Sequence, residues 1–166
     1  MRTSPAILVA LGSNVDAATN IRRAAELLRS RLDVVATSRV YESPPVGAPR
    51  TPAFLNAVVR IVSPLGPRTI KFEILRAIES LLGRRRCPDR SAPRTIDLDL
   101  VLFGQRVETS PDLVLPDPDL LACAHVAVPA AEVAPEIEHP LTGNSLAEIA
   151  AALASDLIAH ADIVLL

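Results

Sequence analysis

Two aspartates inside an apolar segment, 94-RTIDLDLVLFG-104, are the residues best suited to chemistry. Successive side chains of a strand point to opposite faces, so Asp97 and Asp99 share a face, about 7 Å apart along the backbone. Two half-buried anions repel each other and require a compensating cation. Magnesium fits, because it binds one or two carboxylates together with substrate phosphates. Arginine fits as well, and a strand with one solvated acidic face is the plainer interpretation.

An arginine-rich loop precedes this strand. Within 83-GRRRCPDRSAPR-94 the five arginines are Arg84, Arg85, Arg86, Arg90 and Arg94. They are too many to pair with two aspartates, and guanidinium groups bind phosphate well. Carboxylates for a metal beside arginines for phosphate indicate phosphoryl transfer. A flexible, solvated charged loop is the alternative.

A third segment, 54-FLNAVV-59, indicates a small flat ligand. Phe54 and Asn56 lie two residues apart on a predicted strand, so the ring can stack on a heterocycle while the amide binds its edge. An asparagine on a solvent-exposed face is the alternative. Prolines in 43-SPPVGAPRTP-52 exclude regular structure there. The chain has no GxxxxGK[ST] motif and is therefore not a P-loop enzyme.

Composition limits the class of protein. A chain of 166 residues suits one domain, and 49% hydrophobic and 22% charged residues indicate a folded protein. A net charge of −2 argues against general nucleic-acid binding. We expect no membrane span, because no apolar run reaches about 18 residues, and a cytoplasmic location, because no signal-peptide cleavage site is evident. Cys87 and Cys123 have no metal-binding spacing; we expect reduced thiols, and a disulfide stays open.

The periodicity predicts an alternating order of strands and helices. Strands are predicted at 6–11, 34–43, 53–63 and 95–103, with helices starting near Asp16 and at Pro67. This β-α-β-β-α-β order is the ferredoxin-like arrangement, an α/β (α+β) fold with an antiparallel sheet flanked by helices. The predicted buried stripe of the second helix consists of Ile70, Ile74, Ile78 and Leu81. The residues predicted to pack on the core from the last strand are Ile96, Leu98, Leu100 and Leu102. Beyond residue 107 we expect a further strand, Pro-rich loops and short Ala-rich helices such as 145–154.

Taken together, these segments resemble the 6-hydroxymethyl-7,8-dihydropterin pyrophosphokinase family. The resemblance rests on 9-VALGSNV-15, 41-YESPPVG-47, 54-FLNAVV-59, 78-IESLLGRRR-86 and 93-PRTIDLDLVLFG-104, of which the last is the most specific. It covers roughly residues 6–139. It implies a single domain over residues 1–166 with a ferredoxin-like αβα core. It also implies transfer of diphosphate from ATP to the pterin hydroxymethyl group in folate biosynthesis, with AMP as the other product.

The same resemblance implies roles for individual residues. Asp97 and Asp99 would hold two magnesium ions that bridge the ATP phosphates. Arg84 and Arg94 would neutralise charge as the diphosphate moves, assisted by Arg86 from a mobile loop. The implied pterin pocket consists of Ser43, Pro44, Val46, Phe54, Asn56 and His125. The residues implied near the nucleotide are Arg76, Glu79, Arg84 and Leu100. The partners would be ATP and a pterin, with no nucleic acid and no membrane, and the protein is expected to be a monomer.

The chain departs from this family in two places. Ser91-Ala92 replaces the usual Trp-Gly, and in 116–129 Asp117, Cys123 and His125 replace the usual His, Arg and Phe. Loss of two charge-assisted contacts, at about 1.5–3 kcal/mol each, would weaken ATP binding by roughly 10²- to 10⁴-fold. Three hypotheses follow: an active pyrophosphokinase, a non-catalytic or repurposed paralogue that binds a pterin-like ligand, or an enzyme with a different donor or acceptor.

Overall fold

The computed structural model describes residues 5–44, 52–89 and 92–166. The strands are β1 (Ile7–Ser13), β2 (Asp33–Thr37), β3 (Val40–Ser43), β4 (Phe54–Val62), β5 (Asp97–Phe103), β6 (Glu108–Ser110), β7 (Leu113–Leu115) and β8 (Ile158–His160). The helices are α1 (Ala17–Arg29), α2 (Pro67–Thr69), α3 (Arg76–Leu81), α4 (Asp119–Ala122), α5 (Ala124–Val133) and α6 (Leu146–Ala152). A π-helical segment, Ile70–Leu75, joins α2 to α3. The Pro-rich segment 43–52 lies mostly outside the described residues.

Six strands form one sheet in the order β5-β1-β4-β3-β8, and β2 also pairs with β4. Every pairing is antiparallel. If β2 and β3 are counted as one interrupted strand, the core follows the predicted ferredoxin-like arrangement. The interruption lies at Ser38, whose hydroxyl accepts a hydrogen bond from the Val58 amide (2.9 Å) and donates one to the Arg39 carbonyl (2.7 Å). The prediction of one continuous strand over 34–43 was therefore wrong.

Apolar residues cover both faces of the sheet. One face packs against α1 and the α2–α3 helical segment; its largest buried side chains include Ile7, Ile21, Leu28, Ile61, Ile70 and Ile78. The other face packs against α5 and α6; its buried side chains include Leu8, Val58, Leu102, Val126, Ala130 and Leu146. We call these the α1 face and the α5 face. Each fully buried Ile or Leu contributes about 1.5–3 kcal/mol, so both faces stabilise the fold.

A β-bulge changes the facing of side chains in β5. Leu8 pairs with Leu102 but Val9 pairs with Leu100, so Val101 is the extra residue. A bulge reverses the alternation beyond it. Leu102 therefore packs on the α5 face and Phe103 on the α1 face, which corrects the prediction that Leu102 shares a face with Leu98 and Leu100. The two aspartates precede the bulge and keep a common face.

The π-helical segment changes the buried stripe of the second helical region. Its wider turn advances the helix phase by one residue. The fully buried residues are Ile70, Leu75 and Ile78, and Leu82 follows them. Leu81, predicted to be buried, is 61% exposed, and Ile74 is only partly buried. Gly83 ends the helix with φ +77°, as the sequence predicts.

The C-terminal third supplies the α5 face. The hairpin β6–β7 forms a separate two-stranded sheet, and β8 extends the main sheet beside β3. A capping box formed by Ser145 and Glu148 begins α6. Cys87 and Cys123 are both free. Across the described ranges, no helix is both long and apolar enough to span a membrane.

Candidate active site

Strand register brings the predicted polar residues to one face of the sheet. Asp97 pairs with Gly12, Gly12 with Asn56, and Asn56 with Tyr41. Directly paired residues of antiparallel strands point to the same face. Asp99 lies one row away, opposite Ala10 and on the same face as Asp97. The α5 face therefore carries both carboxylates and the amide within neighbouring rows of the sheet.

Asp97 is compensated by two arginines. Arg84 donates to its Oδ1, and Arg94 donates to its Oδ2 at 2.6 Å. Arg84 also donates to the Ile96 carbonyl at 3.0 Å, and its side chain is only 11% exposed. Such charge-assisted bonds fix the guanidinium groups in position. The arginine compensation predicted from the sequence therefore contacts Asp97.

Asp99 has a different environment. Its side chain is open to solvent on one side, yet the surrounding protein raises its pKa to about 7. Desolvation is the largest cause, followed by the charges of Asp97, Asp117 and Glu79; Arg84 acts in the opposite direction. Among the described residues, no ion pair reaches Asp99. A positive ion at this position would therefore be strongly favoured.

Glu79 holds the start of the arginine loop. It is 3% exposed, and it accepts hydrogen bonds from the Leu98 amide (3.0 Å) and the Arg86 guanidinium (2.8 Å). Burial raises the pKa of Glu79 despite the bond from Leu98 and the nearby arginine charges. The Arg84 amide donates to the Glu79 carbonyl (3.0 Å) across the turn at Gly83. Glu79 thus positions Arg84 and Arg86 beside β5.

Ser13 and Asn14, at the end of β1, hold the residues just before β5. The Ser13 hydroxyl donates to the Thr95 carbonyl at 2.6 Å, and the Arg94 amide donates to Asn14 Oδ1 at 2.7 Å. The Asn14 amide donates in turn to the Arg94 carbonyl at 3.1 Å. These contacts fix the backbone of Arg94, and sequence reasoning missed them. No local signal could have found them, because the partners lie about 80 residues apart in the chain.

The predicted flat-ligand residues meet between β3 and β4. Asn56 is 6% exposed, and its side-chain amide donates to Ser43 Oγ at 2.8 Å and to the Tyr41 carbonyl at 3.3 Å. Phe54 pairs with Ser43 and is half-buried. Pro44 follows Ser43 and is exposed. Val46 lies outside the described residues.

His125 lies in the first turn of α5 and is half-buried. Burial lowers its pKa, although the charge of Asp119 acts against this. The imidazole is therefore mainly neutral at pH 7 and suited to contact with an uncharged ring.

The remaining predicted residues are placed as follows. Arg86 and Arg94 help to line a basic cavity of about 180 Å³, together with Arg84, Arg85, Cys87, Asp89, Ala92 and Pro93. Arg76 lies over the Phe72 ring, 4.5 Å from its centre. The Leu100 side chain is 4% exposed and packs on the α1 face, opposite to that of Asp99. Nucleotide contact by Arg76 and Leu100 stays a prediction.

The segment that departs from the expected pattern adds negative charge next to the carboxylates. The Asp117 amide donates to the Val101 carbonyl at 2.9 Å, which places Asp117 beside β5. Burial raises the pKa of Asp117, and its charge contributes to the raised pKa of Asp99. Burial and then Asp119 raise the pKa of the Cys123 thiol. This segment therefore adds an acidic group close to Asp99.

Comparison with known proteins gives one family. Residues 8–135 match the model of the 7,8-dihydro-6-hydroxymethylpterin-pyrophosphokinase (HPPK) family. The chain is 37% identical over 137 residues to the 2-amino-4-hydroxy-6-hydroxymethyldihydropteridine pyrophosphokinase of Bacillus subtilis, which covers 81% of both proteins. It is 38% identical over 149 residues to the Pseudomonas aeruginosa protein of the same name, covering 88% of this chain and 90% of that protein.

Longer relatives contain this region as a part. The chain is 37% identical to the folic acid synthesis protein fol1 of Pneumocystis carinii over 86% of its own length, but it spans only 19% of that protein. The crystal structure of wild-type Plasmodium falciparum HPPK-DHPS superposes with a TM-score of 0.68 at 11% identity, covering 90% of this chain and 44% of that one. At this identity the structural match supports the fold alone.

Proposed function

This chain belongs to the 7,8-dihydro-6-hydroxymethylpterin-pyrophosphokinase family, and we propose that it transfers diphosphate from ATP to 6-hydroxymethyl-7,8-dihydropterin in folate biosynthesis. The products would be AMP and the pterin diphosphate. One observation carries the proposal: Asp97 and Asp99 share the α5 face with Asn56, and Arg84 and Arg94 both contact Asp97. This face thus combines groups for a metal, for phosphate and for a flat acceptor.

The two carboxylates fit magnesium. Oxygen ligands suit this ion, and burial followed by the charges of neighbouring carboxylates raises the pKa of Asp99, which a bound cation would reverse. Asp97 and Asp99 would hold two magnesium ions, which would stabilise the negative charge of the ATP phosphates. Within the described residues, no group of three acidic, His or Cys side chains could hold a metal by itself. The phosphate oxygens of ATP and water would therefore complete the coordination.

The arginines would stabilise the transferring group. The pterin hydroxyl oxygen would attack the β-phosphorus in line, and the bond from that phosphorus to the oxygen of the departing AMP would break. Glu79, Gly83 and Asn14 hold Arg84 and Arg94 beside Asp97, so these arginines would only exchange their bonds to Asp97 for bonds to the phosphates. Arg86 would assist from the loop that Glu79 anchors.

The acceptor would bind between β3, β4 and the first turn of α5. Phe54 and His125 offer ring surfaces, and Ser43 and Asn56 offer polar groups near the strand edge. These residues, together with Pro44 and Val46, form the proposed pterin pocket. The buried Ser43–Asn56 hydrogen bond pre-organises the amide, which reduces the entropy lost on binding.

None of the comparisons supports the alternative of a non-catalytic or repurposed paralogue. The assay below also tests the hypothesis of a different phosphate donor, if other nucleoside triphosphates replace ATP. The monomeric state, the cytoplasmic location and a single domain over residues 1–166 stay predictions.

The first experiment measures AMP release from ATP and magnesium, with and without 6-hydroxymethyl-7,8-dihydropterin. We expect AMP to form only when the pterin is present. Asp97→Ala should abolish turnover while pterin binding stays largely intact. No AMP at saturating ATP from a protein that still binds the pterin would overturn the proposed activity. Loss of pterin binding in Asp97→Ala would instead remove the metal assignment of Asp97.

A further inference from the structure

One carboxylate on α5 joins this helix to the start of β3. Glu132 accepts hydrogen bonds from the Arg39 amide (2.9 Å), from Arg39 Nε (2.8 Å) and from the Tyr41 hydroxyl. The Arg39 guanidinium also lies 5.5 Å from the centre of the Tyr41 ring. We call Glu132, Arg39 and Tyr41 the Glu132 anchor. The catalytic steps described above do not use it.

The hydrogen bonds of the Glu132 anchor stabilise the ionised form of Glu132 and the neutral form of Tyr41. Burial alone would raise the pKa of Glu132, but the bonds from Tyr41 and Arg39 outweigh it and lower the pKa. Burial and the bond to Glu132 raise the pKa of Tyr41 to about 12, so the phenol keeps its proton and donates it. Tyr41 is only 5% exposed, so its hydroxyl has little access to water as an alternative partner.

Tyr41 also connects the anchor to the proposed pterin pocket. Its carbonyl accepts a hydrogen bond from the Asn56 side chain at 3.3 Å, and it pairs with Asn56 in the sheet. Two residues further along β3, Ser43 accepts from the same amide at 2.8 Å. Tyr41 therefore contacts α5 through its side-chain hydroxyl and the Asn56 side-chain amide through its backbone carbonyl.

The helix α5 connects the Glu132 anchor to His125. The C-terminal end of the helix lies near Arg60, which donates to the Val133 carbonyl at 3.5 Å. His125 precedes Glu132 by seven residues, which is two helical turns on the same side of the helix and about 10.5 Å along its axis. The anchor and His125 therefore lie on the same side of one helix.

We infer that Glu132 is a positioning residue for the pterin pocket, because its bonds to Arg39 and Tyr41 join α5, which carries His125, to the strand that carries Ser43 and bonds to Asn56. This inference rests on the proposed function. Glu132 should affect binding of the pterin and not binding of ATP. Asp97, Asp99 and the arginine loop are held by β1, β5 and Glu79, not by the Glu132 anchor. A merely structural role would lower stability without separating the two substrates.

The test compares Glu132→Ala, Glu132→Gln and Tyr41→Phe with the wild type. For Glu132→Ala we expect the KM for the pterin to rise about tenfold, as for loss of one charged hydrogen bond. Tyr41→Phe and Glu132→Gln keep part of the anchor, so roughly threefold increases are expected. The KM for ATP should change less than about twofold in all three. Pterin affinity, titrated with magnesium and a non-hydrolysable ATP analogue, should fall in the same order.

Ser145→Ala is the matched control for general loss of stability. It removes the N-cap of α6, which packs on α5, and leaves the Glu132 anchor intact. It should lower the melting temperature without changing either KM. Equal increases in both KM values, or a pterin KM unchanged in every anchor variant, would overturn the inference while leaving the proposed function in place. A wild type without pterin-dependent AMP release and without pterin binding would overturn both.

Discussion

Replacing Asp99 by asparagine should stabilise the metal-free protein and abolish its activity. Asp99 is ionised at pH 8, close to the charges of Asp97, Asp117 and Glu79. Asparagine has nearly the same shape but carries no charge, so the substitution removes the cost of burying this charge and its repulsion by the other carboxylates. It also replaces an anionic carboxylate, which magnesium requires in the proposed site, by a neutral amide. Stability and activity should therefore change in opposite directions, as is common at functional sites.

The raised pKa of Asp99 determines the size of the stability gain from Asp99→Asn and the pH range in which it appears. A pKa of about 7 instead of the ordinary 3.8 corresponds to about 4 kcal/mol at full strength. Asp99 is open to solvent, which screens its interactions, so we expect about 1–2 kcal/mol. The folded state holds the proton more tightly than the unfolded state, so wild-type stability falls as pH rises from about 4 to about 7. The gain from Asp99→Asn should be absent near pH 4 and complete above pH 7.

The assay is urea unfolding at pH values from 4 to 8.5 with a chelator present. Asp112→Asn is the matched control, because Arg68 lowers the pKa of Asp112 to about 2 through two hydrogen bonds. A lowered pKa contributes stability above pH 4 that is lost as pH falls towards 2, so this variant should be less stable than the wild type at pH 8. If Asp99→Asn is no more stable at pH 8, or its gain is the same at pH 4, the explanation of Asp99 is wrong.

Three further substitutions test the site. Arg94→Ala should lower kcat about 10²- to 10³-fold, because it removes one preorganised donor to the phosphates; an unchanged kcat in steady-state assays would exclude Arg94 from the reaction. Asn56→Ala should weaken pterin binding about tenfold in a fluorescence titration and leave ATP binding unchanged, since the Asn56 side chain bonds to Ser43 of the proposed pterin pocket; equal losses for both ligands would contradict this. Gly83→Ala should cost about 1 kcal/mol in urea unfolding, because Gly83 has φ +77°, and it should lower kcat by displacing Arg84; wild-type stability would refute the strain.

Local periodicity was sufficient to predict the core topology. The alternating segments and the helix beginning at Pro67 gave the ferredoxin-like order, because each signal depends on neighbouring residues only. It was also sufficient to place Asp97 and Asp99 on one face. Both aspartates precede the bulge, so simple alternation holds for them.

Deviations from ideal geometry could not be predicted in the same way. The extra residue at Val101 is defined by its pairing with β1, and the break at Ser38 depends on hydrogen bonds with Val58 across the sheet. The π-helical segment follows no composition signal, yet it exposes Leu81 and buries Leu82. Each deviation is a small local change with a large effect on which face a side chain occupies.

Contacts between distant segments were the other limit. The sequence indicated that the arginines and aspartates lie close together. It did not indicate that Arg84 and Arg94 both form hydrogen bonds to Asp97. Likewise, nothing near Glu132 in the sequence identifies Arg39 and Tyr41 as its partners, which lie more than 90 residues away. Such pairs depend on the tertiary fold, which local sequence signals do not specify.

The two aspartates are chemically identical but electrostatically different, and this difference bears on how ATP would bind. Asp97 shares its charge with Arg84 and Arg94, whereas Asp99 has neighbours of the same sign. Phosphates that bind Arg84 and Arg94 would compete with Asp97 for the two guanidinium groups. Asp97 would then need a positive charge nearby, as Asp99 does. Nucleotide binding and cation binding at this face should therefore reinforce each other. Asp117 increases the negative charge around Asp99. The activity of the wild type should therefore depend more steeply on the magnesium concentration than the activity of Asp117→Asn.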